Sequence, residues 1–328
     1  MKNFASGFVT LIGRPNVGKS TLMNHFIGEK ISIVTSKPQT TRNQIRAILT
    51  GDDYQMIFID TPGLHTPKNK LGNFMVRQAL TSLEAVDAVV YMVEPKLRTD
   101  KLAQTIANAP TASESANPVI KFAIPDGDKA ILDKLAKVKT PIFLAINKSD
   151  TVAKPELLNI IAAYSQAFNF AEIIPLSALT GDNTSALLTA LRGVLPPGPL
   201  YFPEDQITDQ PERQITAEII REKALTFLQE EIPHGVAVEI SSFKERAAKG
   251  KTPPLVSIGA TLYCERDSHK AIIIGKQGAM LKRIGATARK DIETLVGSPV
   301  FLELWVKVKK NWRDSDFLLR NFGFLPEN

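Results

Sequence analysis

The chain has 328 residues, 44% hydrophobic and 23% charged, an ordinary globular balance with room for two domains. No apolar run approaches the ~18 residues of a membrane helix, the stretch behind Lys2 is too short for a signal peptide, and a single cysteine (Cys264) with four scattered histidines supplies neither a disulfide framework nor a zinc site. The net charge of +6 is uneven: residues 1–212 hold 21 basic and 20 acidic groups, residues 213–328 hold 19 and 14, so the positive field belongs to the C-terminal part and a polyanion is the first partner to test.

In chain order, strand signals at Phe8–Ile12, Met56–Ile59, Ala88–Val93, Pro141–Ile146 and Ile173–Leu176 alternate with helical patterns such as "GNFMVRQALTSLEAV" and "KPELLNIIAAYSQAF". The alternation predicts an α/β domain over residues 1–195, a mostly parallel sheet flanked by helices. Residues 95–140 break the rhythm. The polar "NAPTASESANP" and a further turn at "AIPDGDK" read as a surface insertion with a short helical piece. Five prolines from Pro196 to Pro211 make residues 196–212 a linker, because proline lacks an amide donor and resists helix and sheet. Residues 213–328 then read as a second, α+β unit: helix (Ile215–Glu231), strand (Val236–Ser242), strand (Leu255–Cys264), "HKAIIIGKQGAMLKRIGATARKDIETLV", and strand (Val300–Lys307).

The first motif with chemistry is "GRPNVGKS", Gly13, Arg14, Pro15, Asn16, Val17, Gly18, Lys19 and Ser20, with Thr21 behind it. It fits the phosphate-loop pattern between a strand and a helix. Its backbone amides can wrap a phosphate at the positive helix end, Lys19 can bridge the outer phosphates, and the Ser20 hydroxyl can hold magnesium. In "FIDTPG", Asp60 ends a strand where its carboxylate can accept a magnesium-bound water; Thr61 and Pro62 lead to Gly63, whose amide can face the terminal phosphate. "AINKSD" ends another strand with Asn147, Lys148 and Asp150. A carboxylate only accepts, so Asp150 suits the two donors on one edge of guanine. Losing two charged hydrogen bonds would cost roughly 3–6 kcal/mol. In "PLSALTG", the backbone near Ser177 and Ala178 can touch the base carbonyl.

The order GxxxxGKS, DTPG, NKSD, SAL resembles that of the translation-factor-like GTPases over residues 7–195. The resemblance implies GTP and GDP as ligands, magnesium as the cofactor, and a switch segment at "SKPQTTRNQI" whose threonine completes the magnesium shell, Thr41 first and Thr40 in reserve. Lys19, Thr41 and Gly63 are then the catalytic group, and Ser20, Thr41 and Asp60 the metal group. Leu64 stands where Ras-like proteins have a water-orienting glutamine, so hydrolysis needs another group or an ion. Asn16 matches the asparagine that helps bind potassium in stimulated relatives. A slow, switch-like enzyme is implied.

"AIIIGKQGAMLKRIG" places Gly275, Lys276, Gln277 and Gly278 between what reads as a strand and a helix. It resembles the GXXG loop of a KH domain, which clamps about four nucleotides. Ile272, Ile273 and Ile274 can floor a base groove. Lys282 and Arg283 belong to a run, Arg266 to Lys290, with seven basic residues against one acidic. Aspartate at position 278 would oppose RNA phosphate and is expected to leave the fold intact, since helix starts favour it. The element order is that of the bacterial type II KH arrangement. Together, the switch GTPase, the linker beginning "FPEDQITDQ" and a KH unit ending "FLELWVKVKKNW" resemble the Era GTPases of bacteria over nearly the whole chain. The resemblance implies binding to the 3′-end region of 16S ribosomal RNA during assembly and maturation of the 30S subunit. It also implies a monomer in the cytoplasm with a peripheral association at the inner membrane. The alternative is a GTPase serving an RNA-modification system.

Overall fold

The computed structural model describes residues 4–95, 122–230, 232–248 and 253–325. Six strands form one sheet in the order β2 (Ile45–Gly51), β3 (Tyr54–Asp60), β1 (Ala5–Gly13), β4 (Ala88–Val93), β5 (Ile142–Ile146) and β6 (Glu172–Pro175). Every neighbouring pair is parallel except the β2–β3 hairpin. β4, "AVVYMV", is buried along its whole length, as expected of a parallel strand with helices on both faces. α1 (Lys19–Ile27) and α5 (Thr184–Arg192) cover one face with Leu22, Met23, Phe26, Leu187 and Leu191. α2 (Lys70–Thr81), α3 (Asp126–Leu135) and α4 (Lys154–Ala167) cover the other with Ala79, Ile131, Leu135, Ile160 and Tyr164. β1 lies between β3 and β4: the chain runs from β1 through α1 to the β2–β3 side, then from β3 through α2 over the other face to β4, so the strand order reverses here. That switch point opens a crevice at the strands' C-terminal ends.

Two sequence expectations are corrected here. The antiparallel β2, Ile45–Gly51, follows the switch segment and is not among the strands expected from sequence, although its alternating "IRAILT" and the turn at Asp52 and Asp53 are an evident hairpin signal. The "AIPDGDK" turn is instead the start of α3, with Asp126 and Asp128 in its first turn, where acidic groups meet the positive helix end. α3 is no surface piece. Ile131, Leu132 and Leu135 are buried, and the fully buried Asp128 accepts hydrogen bonds from Arg14 Nε (2.8 Å), Tyr91 (2.9 Å) and Tyr164 (3.2 Å). The rest of the expected insertion, residues 96–121, lies outside the described residues.

The second unit runs α6 (Glu212–Phe227), β7 (Ala237–Arg246), β8 (Leu255–Cys264), α7 (Asp267–Ile274), α8 (Ala279–Val296) and β9 (Val300–Val308). β8 pairs antiparallel with β7 and parallel with β9. Ile219, Ile220, Ile258, Leu262, Ile284 and Ile292 pack into its own core. The isoleucine run read as a strand is α7, so the GXXG segment joins two helices. β-branched residues favour strands only weakly, and Ile273 meets the core from a helical turn while Ile272 stays about half exposed. Among the described residues no helix is long and apolar enough to cross a membrane.

The proline-rich connector is tied down rather than loose. Ile48 N donates to Ile207 O (2.8 Å), and Ser6 Oγ donates to Pro199 O (2.7 Å). The fully buried Gln55 accepts from the amides of Tyr201 (2.8 Å) and Phe202 (3.0 Å) and donates to Phe202 O (2.9 Å). Gln55→Ala removes all three bonds and leaves backbone groups unpaired at the sheet edge. It should destabilise the protein by roughly 1–3 kcal/mol and make the connector the first site of proteolysis, as read by denaturant unfolding and by mapping the earliest cut. Unchanged stability with an intact connector would show that prolines alone hold this path.

Candidate functional site

The C-terminal ends of β1, β3, β4, β5 and β6 surround a cleft of about 540 Å³. β1, β3, β5 and β6 each deliver one motif, and β4 delivers Glu94. β1 runs into the loop Gly13–Gly18, and Gly18, with φ 102°, passes into α1. Lys19 heads that helix, 6% exposed, with Nζ donating to Gly13 O (3.3 Å) and Arg14 O (3.1 Å). Its amine is thus aimed across the loop, and Thr21 lines the same cleft. Arg14 points away from it, to Asp128, and ties the loop to α3. Val17 is buried, its carbonyl accepting from Asn147 Nδ2 (2.7 Å).

Asp60 ends β3 and is fully buried. Its Oδ2 accepts from the hydroxyls of Ser20 (2.7 Å), Ser32 (3.0 Å) and Thr41 (3.3 Å), and Ser20 and Thr41 lie 3.0 Å apart. Of the two threonine candidates, Thr41 joins this cluster; Thr40 Oγ1 instead donates to Lys37 O. Burial pushes the Asp60 carboxyl above its ordinary range, against the pull of Lys19 and the three hydroxyls. Its Oδ1 is buried with no hydrogen-bond partner. One carboxylate, two hydroxyls and an orphaned oxygen beside a phosphate loop suit a small hard cation that keeps phosphate and water ligands. Sequence reasoning missed Ser32. It sits in no motif and arrives through Asn24, whose Oδ1 accepts the amides of Ile31 (3.2 Å) and Ser32 (3.0 Å).

Thr61 donates to Leu11 O (2.6 Å), Pro62 is buried, and Gly63 backs onto Pro15, where a Cβ would lie 2.5 Å from the proline nitrogen. Leu64 turns into the apolar core of the sheet's second face rather than into the cleft. His65 bridges Gly63 O (2.9 Å) and Gln39 Nε2 (3.0 Å). Asn16 Nδ2 donates to Ser36 O (2.8 Å), which leaves its amide oxygen as the end that can take a cation.

The base end of the cleft is held by Asn147, which spans two loops: Nδ2 to Val17 O, and Oδ1 from the Ala178 amide (2.8 Å). Lys148 Nζ reaches Asn16 O (2.9 Å) and Glu94 (2.5 Å). Asp150 is exposed and lines the cleft beside Ser177 and Ala178. In the second unit, Gly275 (φ 72°), Gln277 (φ 51°) and Gly278 (φ 78°) form the expected kinked loop, and Lys276, Gln277, Lys282 and Arg283 are exposed. The Arg283 guanidinium stacks 4.2 Å over Phe227. Gly278 corrects one expectation: aspartate would be strained at this left-handed φ, and the usual N-cap geometry is absent.

Residues 8–148 match the family described as 50S ribosome-binding GTPase, and residues 231–313 match the KH domain. The chain is 49% identical to GTPase Era of Clostridioides difficile over 322 residues, 98% of this chain and 99% of that protein. It is 50% identical to GTPase Era of Alkaliphilus oremlandii over 321 residues, with the same coverage. Among solved structures, Aquifex aeolicus Era bound to GDP.AlF4- superposes with a TM-score of 0.84 at 36% identity, covering 98% of this chain and 100% of that one. Era in complex with MgGDPNP and nucleotides 1506–1542 of 16S ribosomal RNA gives 0.85 at 35%, with the same coverage.

Two expectations follow from the cleft. Burial lowers the Lys19 pKa to about 8, and phosphate binds the charged form, so affinity falls as pH rises through that value. Between pH 7 and 8.5 GDP affinity should drop about fourfold, with proton uptake on binding. Calorimetry in buffers of different ionisation enthalpy checks this; flat affinity without proton uptake would mean that the amine is charged throughout. Asp150→Asn should lower GTP affinity by two to four decades, from roughly 3–6 kcal/mol of lost charged hydrogen bonds, and raise that for XTP. A variant that binds GTP like the parent and ignores XTP would remove Asp150 as the base reader.

Proposed function

Since the chain belongs to the Era family of GTPases and is an RNA-binding enzyme that hydrolyses GTP, we propose that it binds the 3′-end region of 16S ribosomal RNA and assists assembly and maturation of the 30S subunit. The observation that carries the reading is full-length likeness to the Era–RNA complex, joined to an exposed, basic GXXG segment at the start of α8. A left-handed loop framed by two glycines lets a sugar–phosphate backbone approach closely, and the following helix start favours anions.

In the nucleotide cleft the proposed roles follow the geometry. Lys19 and the loop amides hold the phosphates. Ser20, Thr41 and Asp60 would hold magnesium, which supplies charge neutralisation at the outer phosphates. Asp150, with the backbone at Ser177 and Ala178, selects guanine. Gly63 presents its amide to the terminal phosphate. With Leu64 buried, water positioning falls to other groups; the Asn16 oxygen supports a potassium ion in that neighbourhood. A monomer in the cytoplasm with a peripheral membrane-associated fraction completes the proposal, supported by the family resemblance alone.

The test titrates a single-stranded oligonucleotide of the 16S 3′ end against the full chain at several salt concentrations. Affinity should weaken with a log–log slope of about −0.7 per phosphate neutralised. Gly278→Asp should abolish most of the affinity while costing roughly 1 kcal/mol of stability from its left-handed backbone. Unchanged affinity in this folded variant would defeat the GXXG site. An oligonucleotide of scrambled sequence binding equally well would defeat the 3′-end assignment. Exchanging potassium for sodium should slow GTP turnover; equal rates would remove the potassium proposal.

A further inference from the structure

One helix of the KH unit grips both ends of the GTPase switch. α6 presents two neighbouring buried residues, Arg221 at 1% and Glu222 at 4% exposure. Glu222 Oε1 accepts the amide of Val34 (3.0 Å), and Arg221 Nη2 donates to the carbonyl of Thr40. The loop between these points lines the nucleotide cleft. Arg42 anchors the far side, donating to Val236 O (2.7 Å) and His234 O (3.0 Å) with its guanidinium 5.5 Å over the Trp312 ring.

The carbonyl of Thr40 and the amide of Thr41 share one rigid peptide plane. Holding that oxygen therefore aims the Thr41 Cα, and with it the hydroxyl that lies 3.0 Å from Ser20 and 3.3 Å from Asp60. Arg221 is itself oriented by Glu218, whose carboxylate accepts from its Nε at 2.8 Å. Glu222 is braced by Lys30 (2.5 Å) and Lys223 (3.1 Å), both of which also reach Asp291 of α8. Buried ion pairs return little net stability. These two place backbone groups of the switch loop, and the guanidinium's fixed fork suits the task better than an ammonium would.

We propose that Arg221 and Glu222 are positioning residues for GTP hydrolysis, supplied by the RNA-binding unit to set the switch threonine Thr41 against Ser20 and Asp60. GDP, without the terminal phosphate that orders such switches, depends on them less than GTP does.

The test uses the full chain with three variants. Arg221→Met keeps the apolar stem and removes the donors, Arg221→Lys restores a cationic donor, and Glu222→Ala releases the other grip. Each is melted, titrated with fluorescent GDP and a non-hydrolysable GTP analogue in saturating magnesium, assayed for kcat and KM, and probed by amide exchange over residues 34–42. In Arg221→Met, GDP affinity should stay near the parent's, while analogue affinity and kcat each fall about tenfold, within the usual span of inter-site coupling. Exchange in the switch should quicken. Arg221→Lys should recover part of the loss, and Glu222→Ala should repeat it in milder form. Should Arg221→Met fail to fold, Glu222→Ala decides. Parent-like GTP-over-GDP discrimination in the folded variants would overturn the proposal. So would equal losses for both nucleotides, the mark of a purely structural contact.

Discussion

A carboxylate buried at the end of a strand is the constraint on which this site depends. Asp60 has no solvent exposure, and burial opposes its charge. The fold answers by bringing three hydroxyls from three separate segments, Ser20, Ser32 and Thr41, onto one carboxylate oxygen. Each segment must then be held in its turn. Ser20 rides on α1, Ser32 is set by Asn24, and Thr41 sits in a loop anchored from the other unit. The remaining oxygen, buried and unpartnered, is the place left for a cation in the proposed role.

The same logic explains why the two units are not beads on a string. The switch lies under α6 on one side. On the other, Leu71 and Met75 of α2 pack with Tyr263, Trp312, Leu319 and Phe324, and Lys70 pairs with Asp316. The buried Trp312 seals this seam, its indole nitrogen donating to Gly235 O at 2.9 Å. The switch loop that lines the cleft and the helix that follows the Gly63 turn are therefore also walls of the interface with the RNA-binding unit. A rearrangement of either bears on that interface, because packed interfaces shift between discrete arrangements rather than deform continuously.

The connector belongs to this arrangement. Its prolines cannot donate to a sheet, so its backbone adds side-chain partners to a few backbone bonds such as Ile48 N to Ile207 O. Gln55, fully buried on β3, supplies donor and acceptor together. A segment that composition describes as a flexible spacer thus becomes a strap across the sheet edge.

By itself, the sequence was enough to determine the α/β architecture, the KH-like order of the second unit, and the nucleotide motifs at strand ends. Those signals are local: strand-to-helix alternation, a glycine-framed lysine, an Asp or Asn where an apolar strand stops. It also singled out Thr41, though only the folded chain separates it from Thr40, because adjacent side chains face opposite ways and the choice rests on where Asp60 lies. Ser32, Arg42, Arg221 and Glu222 carried no motif. Their significance comes from partners up to about two hundred residues away, and no local pattern encodes that distance. For the same reason "AIPDGDK" read as a turn until Asp128 found Arg14, Tyr91 and Tyr164, and the isoleucine run before the GXXG segment read as a strand until the core placed it in a helix. Tertiary packing decided these points because burial and long-range hydrogen bonds outweigh intrinsic propensities of a few tenths of a kcal/mol per residue.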